Sequence, residues 1–234
     1  ISLPGSLFGV FLHSGQLCES GTRLFVPDHL HDVIVENLVK LAGKIKLGNP
    51  LDPASDVGPV ISQKQKETIL SYIEAGKAEG ATLVCGGNEA KVAGCENGHF
   101  IEPTIFTNVT NDMKIAREEI FGPVLSVIRY TDVNEAIKMA NDSIYGLAAG
   151  VWTRDVNKAY EVARKLQAGV VWINDWHMLR NDAPFGGYKQ SGIGREMGKH
   201  SLDAYTQVKH VHTSMVPEAH KRHWYGLLLS DTTE

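Results

Sequence analysis

A cysteine in a short polar turn carries the most evident chemistry in this chain. The stretch Phe11-Leu12-His13-Ser14-Gly15-Gln16-Leu17-Cys18-Glu19-Ser20-Gly21-Thr22-Arg23 sets Cys18 between an apolar run, Leu7 to Leu12, and a strand-like run of Leu24, Phe25 and Val26. A backbone turn at that place presents a thiol instead of burying it, which is where a nucleophile stands. The competing reading is a small core hydrophobe, the usual fate of an isolated cysteine. Taken alone Cys18 favours that second reading, so the rest of the chain has to decide. Cys85 and Cys95 fall in a strand and a loop and take no role.

Other chemical patterns are weaker. Gly192-Ile193-Gly194 starts like a dinucleotide fingerprint, but it follows a loop instead of a strand and lacks the third glycine. His13 precedes Cys18 by five residues with no cysteine-protease signature around it. His210 and His212 alternate onto one face of an extended segment, where two histidines without a third ligand read as a solvated face before a metal site. No Gly-x-Ser-x-Gly, phosphate loop or His-Glu-x-x-His occurs, and no metal site is assigned.

The elements that must position Cys18 follow from periodicity. Asp28 is expected to cap a helix running to about Lys46, with Leu30, Val33, Ile34, Leu38, Leu41 and Ile45 at helical spacing. Prolines 50, 53 and 59 make the next stretch a loop. Ser62 and Gln65 form a capping-box pattern for a second helix ending near Gly80, with Ile69 and Ile73 on its buried face. Thr82 to Cys85 reads as a strand, Gly86 to Gly98 as a polar loop, and Phe100 to Val109 as an extended segment interrupted by Pro103. A turn of helix around Met113 to Arg117 precedes the β-branched run Val124 to Tyr130. Asp132 and Glu135 repeat the capping box, Gly146 to Trp152 is a small-residue strand, Asp155 starts a third helix stopped by Gly169, and Val170 to Ile173 is an apolar strand. This alternation predicts an α/β fold with a largely parallel sheet flanked by helices. Five glycines between Asn181 and Gly198 suit irregular backbone, Tyr205, Val208 and Val211 suit a C-terminal strand, and the residues after Pro217 a loose tail.

The 234 residues carry 23 Lys+Arg against 27 Asp+Glu, with no basic excess for a phosphate backbone, so nucleic acid is not an expected partner. The apolar run near Leu7 is far too short to span a bilayer, and no membrane is expected. Three cysteines without a Cys-x-x-Cys pair point to a reducing compartment, the cytoplasm or an organelle matrix. The chain opens in mid-pattern without an initiating Met, so it is expected to be the downstream part of a longer polypeptide, by truncation or processing.

Four segments together resemble the NAD(P)-dependent aldehyde dehydrogenase superfamily. They are Gly15-Gln16-Leu17-Cys18 with Thr22-Arg23; Glu118-Glu119-Ile120-Phe121-Gly122-Pro123; Asn141 through Tyr145-Gly146-Leu147-Ala148; and Pro184-Phe185-Gly186-Gly187-Tyr188-Lys189-Gln190-Ser191-Gly192-Ile193-Gly194-Arg195-Glu196. The resemblance covers roughly Leu7 to Val211 and implies the catalytic domain of that family. Residues 1–180 would form the domain with the nucleophile, 181–215 a segment returning to the cofactor domain with an oligomerisation strand, and 216–234 a tail. It also implies a homodimer or homotetramer in the full-length protein.

Residue by residue, the resemblance makes Cys18 the nucleophile that attacks an aldehyde carbonyl, giving a thiohemiacetal and then a thioester. A polar turn at a helix N-terminus would lower its pKa, and backbone N–H groups would receive the oxyanion. Glu119 corresponds to a carboxylate holding the nicotinamide ribose of NAD or NADP, and Phe121 to a residue packed near the nicotinamide. Leu147 corresponds to a cofactor contact, with plain core as the alternative. Phe185 resembles a wall of the family's aldehyde tunnel, which Trp176, His177, Met178 and Leu179 would line further, and this would suit a partly apolar aldehyde of modest size. Asn174 is a supporting amide or a hydrogen-bonded turn residue. Glu196 stands near the water path or in a salt bridge. His13 stands where many relatives carry Asn. The family's general-base glutamate and oxyanion asparagine lie farther upstream than the residues before Cys18, so the isolated chain is expected to turn over little or not at all. A CoA-acylating relative and a non-catalytic oligomerisation module are the alternatives.

Overall fold

The computed structural model describes residues 1–222 and 224–228. It contains a four-stranded sheet in the order β1-β6-β5-β2, a parallel pair β7-β8 and a short antiparallel pair β3-β4. The strands are β1 (Arg23–Pro27), β2 (Thr82–Cys85), β3 (Glu89–Ala90), β4 (Phe100–Ile101), β5 (Thr104–Thr107), β6 (Val124–Tyr130), β7 (Ala148–Val151) and β8 (Val170–Ile173). The helices are α1 (Ser2–Phe11), α2 (Asp28–Ala42), α3 (Gln63–Ala78), α4 (Lys114–Arg117), α5 (Val133–Asn141), α6 (Val156–Lys165) and α7 (Gly198–Tyr205). In the four-stranded sheet β1 and β5 both run parallel to β6, and β2 is antiparallel to β5. The α/β class and the mostly parallel, helix-flanked sheet are as expected.

β6 shows why the sheet is covered on both faces. Val124 and Ile128 enter a core with Ile69 and Ile73 of α3, Phe106 and Ile115. Leu125 and Val127 point the other way, into a core with Leu7, Val10 and Phe11 of α1 and Val35 and Leu38 of α2. A strand apolar on both faces is what a parallel sheet between helix layers demands. Each such side chain contributes about 1.5–3 kcal/mol when fully buried.

Several local expectations are corrected. The run before Cys18 is a helix, α1, which tolerates Pro4 because the proline lies in its first turn, where backbone N–H groups have no partner within the helix. α2 stops at Ala42, four residues before Lys46. Lys44 N–H and Ile45 N–H then donate to Leu41 and Ala42, so 3-10-type turns prolong the apolar pattern while the helix ends. Asp28 does not cap α2, because Pro27 holds that position and the Asp28 carboxylate accepts from Arg129 at 3.1 Å. The buried face of α2 is His31, Val35, Leu38 and Ala42, which leaves Leu30 (41% exposed) and Val33 (52%) outside the core. His31 is tolerated there because its ring meets Thr107 Oγ1 at 2.7 Å and Asp32 at 2.9 Å.

The capping boxes close only halfway. Ser62 and Asp132 cap α3 and α5, yet Gln65 and Glu135 turn to other partners instead of back to the cap. α7 was not expected. Within this chain no C-terminal strand forms: Thr206 to Met215 pair with nothing as a strand among the described residues, and Val208 and Val211 are exposed. The rings of His210 and His212 meet edge to face at 6.3 Å, and among the described residues no three metal-ligating side chains gather. Of the loose tail expected after Pro217, residues 223 and 229–234 lie outside the described residues, and the rest holds two short 3-10 turns.

Candidate active site

Cys18 is set by the backbone before it. His13, Ser14 and Gly15 follow one another at φ 51°, 59° and 71° at the end of a 3-10 turn. Gly15 is required there on two counts: its φ is left-handed, and a Cβ would overlap the carbonyl of Gly122. Ser14 Oγ donates to Gly58 O at 2.6 Å, and Gln16 Oε1 accepts from Ile61 N–H at 2.9 Å. These bonds tie the cysteine turn to the proline-bearing loop, while Gly15 lies against the Gly122 turn. Cys18 itself is exposed, in a turn that leads into β1 and not into a helix.

The thiol departs from expectation in its electrostatics. Partial burial and the neighbouring Glu19 carboxylate push the Cys18 pKa up, against the opposing pull of the Cys18 and Glu19 backbone N–H groups. The expected lowering by a helix N-terminus is therefore corrected: the turn that carries Cys18 leads into β1, and burial with Glu19 raises the thiol instead. Glu19 lies 3.7 Å from Cys18 Sγ through Oε2, is only 5% exposed, and pairs through Oε1 with Nδ1 of His177. Beside this group the Trp176 ring fills a slot between Gly9, Gly21 and Gly150, whose added Cβ atoms would meet it at 3.0, 3.0 and 2.6 Å. Trp172 stacks on Trp176 with a tilt of 50° at 5.2 Å and donates its indole N–H to Met178 O.

A second loop faces the same space. Phe121 adopts φ 55° and is 38% exposed, and Gln65 Nε2 donates to the carbonyls of Ile120 and Phe121 at 3.0 and 2.9 Å. The helix α3 thus pins the strained residue. Glu118 is taken by the Tyr72 hydroxyl at 2.8 Å, and burial together with Glu118 pushes the Tyr72 pKa up to about 12. Glu119 has no such partner among the described residues and stays exposed.

The structure gathers Cys18, Glu119, Phe121, Leu147 and Trp176 around one cleft of about 760 Å³, which runs along the outer edge of β1 and along β7. The remaining expected residues stand outside its lining. His177, expected as a tunnel wall, holds Glu19 and contacts the Phe8 ring edge-on at 6.3 Å. Asn174 closes two 2.8 Å bonds with the Thr153 backbone, the turn-residue alternative. Phe185 and Glu196 exchange backbone hydrogen bonds of 2.8 and 2.7 Å, and among the described residues the Glu196 carboxylate makes no ion pair. Met178 and Leu179 are exposed.

The glycine-rich segment is nonetheless built into the site's frame. Gly146 O accepts from Gly169 and Tyr188, Gly146 N–H donates to Ser191 Oγ at 2.9 Å, and Lys189 Nζ donates to Asn141 O at 2.6 Å. That docking brings Gln190 and Ser191 to the cleft beside Leu147. The residues that sequence reasoning missed are Glu19 and Gln65. An acidic residue directly after the cysteine, in a segment bounded by apolar runs, signalled a buried charge in need of a partner, but nothing local named one 158 positions away.

A doubly covered, mostly parallel α/β sheet with a cysteine and a free carboxylate at one cleft defines the class, and comparison gives the family. The aldehyde dehydrogenase family model matches residues 2–211, and the chain belongs to that family. A betaine aldehyde dehydrogenase of Brucella anthropi is 51% identical over 92% of this chain and 44% of its own length. Another, of Brucella melitensis, is 49% identical over the same shares. Among solved structures, the NAD+ complex of an aldehyde dehydrogenase from Bacillus cereus superposes with a TM-score of 0.88 at 48% identity, covering 92% of this chain and 43% of the other. A betaine aldehyde dehydrogenase from Staphylococcus aureus in complex with NAD+ gives 0.85 at 46% identity, covering 87% and 40%. The chain spans less than half the length of the relatives it matches.

Proposed function

We propose that the polypeptide carrying this chain oxidises an aldehyde to a carboxylic acid with NAD or NADP, through a covalent intermediate on Cys18. The observation that carries this reading is the shared cleft: an exposed thiol, a carboxylate free to accept hydrogen bonds and an exposed aromatic ring face one space. Cys18 Sγ attacks the aldehyde carbon as the thiolate, the form that the Cys18 and Glu19 backbone N–H groups favour, its proton passing to solvent. Glu119, Phe121 and Leu147 suit the nicotinamide end of the cofactor, because a carboxylate accepts from both ribose hydroxyls while a ring and an apolar side chain cover a flat face. NAD(P), when bound, supplies the acceptor for the hydride that leaves the thiohemiacetal carbon. The acyl group stays on Cys18 as a thioester until water takes it.

Support comes from family membership and from relatives bound to NAD+. In the described cleft Glu19 is held by His177, and the free carboxylate, Glu119, is the one assigned to the cofactor, which leaves no group here proposed to activate water. The isolated chain is accordingly proposed to be without efficient turnover. The relatives' names make betaine aldehyde the first substrate to compare with an uncharged aliphatic aldehyde. In the full polypeptide, Cys18→Ser should abolish NADH formation while leaving NAD binding intact, and Glu119→Gln should weaken NAD binding roughly 10- to 100-fold, from about 1.5–3 kcal/mol for hydrogen bonds to a charged group. Aldehyde oxidation by Cys18→Ser at the parent rate would remove Cys18 from the mechanism.

A further inference from the structure

The Cys18 reading accounts for the thiol, and Glu119 and Phe121 for the cofactor face, but neither uses the buried carboxylate between Cys18 and His177. Glu19 is nearly sealed from solvent, so its charge is costly unless both oxygens are engaged. They are: Oε2 faces the Cys18 sulfur at 3.7 Å, and Oε1 is taken by His177 Nδ1. The sulfur reaches the carboxylate as an S–H donor, because a thiolate would put two negative charges side by side. His177 is in turn fixed, with a backbone φ of 60° and its ring edge against Phe8 of α1.

We propose that Glu19 and His177 form a positioning pair for Cys18, in which Glu19 holds the thiol by its proton and His177 sets how strongly it does so. The proposal rests on the reading of Cys18 as the nucleophile and adds how that nucleophile is kept in its resting form. When His177 bonds Oε1, it draws charge away from Oε2, and the thiolate beside it becomes less costly. Without that bond the full carboxylate charge falls on the sulfur, and the thiol is held harder.

Few other charges reach the group. Asp175 accepts the Trp176 N–H at 2.8 Å. Arg23 is held by Asn111 and the carbonyls of Met139 and Ala140, Arg117 by Asp142 and Glu118 by Tyr72. Glu119 and Lys158 line the cleft, yet of all these groups only the Glu19 carboxylate bears on the thiol.

The test is the pH profile of iodoacetamide alkylation at Cys18 in the full chain, followed by peptide mass spectrometry with the half-buried Cys85 as an internal monitor of folding. Glu19→Gln should make Cys18 react about tenfold faster near neutral pH, as removing an adjacent like charge does. His177→Phe keeps ring volume but removes the donor, and should slow the reaction several-fold and move the profile to higher pH. His177→Asn, whose amide can replace the Nδ1 donor, should restore the parent profile. In the Glu19→Gln background His177→Phe should change nothing. A Cys18 profile unmoved by Glu19→Gln, or a His177→Phe effect of equal size in both backgrounds, would overturn the pair. Should Glu19→Gln expose Cys85, the contrast between His177→Phe and His177→Asn decides: equal profiles for the two overturn the proposal. These readouts measure the thiol directly, so they remain decisive even if Cys18→Ser shows that another residue attacks the aldehyde.

Discussion

At the scale of single residues, backbone strain and one buried charge determine how the thiol is offered. Three consecutive left-handed residues, His13, Ser14 and Gly15, turn the chain out of α1 so that Cys18 opens on the cleft. Gly15→Ala adds roughly 1–2 kcal/mol of left-handed strain and forces the Gly122 turn to move. Its urea midpoint should fall and Cys18 alkylation should change with it; an unaltered midpoint would show that the turn relaxes freely. The raised Cys18 pKa has a definite sign. Less thiolate is present at neutral pH than for an ordinary cysteine, so the alkylation rate should still be climbing at pH values where a free thiol has levelled off. A plateau at or below the ordinary thiol range contradicts it.

Helix α3 is the element that links core and site. Its cap is Ser62, whose hydroxyl accepts from Gln65 N–H at 3.2 Å, and loss of that cap in Ser62→Ala should cost about 1 kcal/mol. Gln65 uses its side chain on the Ile120 and Phe121 carbonyls, so Gln65→Ala removes two bonds worth about 0.5–1.5 kcal/mol each. Hydrogen exchange should then rise in the Ile120–Gly122 loop while the middle of α3 keeps its protection. Equal deprotection of both would mean that Gln65 supports the helix instead of the loop. Deeper in α3, Ile69 packs fully buried against Gly122, and Ile69→Ala should lose roughly 2–5 kcal/mol in a denaturant titration. The capping patterns were legible because an N-cap depends on residues three apart. Where Gln65 sends its amide depends on a loop 55 positions away.

Across the whole molecule, the C-terminal segment is the part that finds no place in this fold. Leu202, Tyr205, Val208 and Val211 are all exposed, and the extended run after α7 offers an unpaired backbone. We propose that it pairs with a second copy in the full-length protein. Val208→Lys with Val211→Lys should lower the mass measured by light scattering and leave the α/β core's unfolding midpoint unchanged; an unaltered mass would remove this segment from assembly. The same exposure explains why the segment forms no strand within this chain. Alternating apolar residues specify a strand only where another strand supplies hydrogen bonds, and none stands beside it among the described residues.

What the sequence determined by itself is what periodicity and local bonds encode: the alternation of strands and helices, the two-faced apolar run of β6, the caps at Ser62 and Asp132, and four motif segments sufficient to mark a family. Tertiary structure alone decided which of those motif residues meet. It drew Cys18, Glu119, Phe121 and Leu147 to one cleft, left Phe185 and Glu196 bonded to each other outside its lining, and converted His177 from an expected wall into the partner of Glu19. The reason is physical. Periodicity and capping act within a few residues, whereas a buried carboxylate is satisfied by whatever donor the fold delivers across the chain.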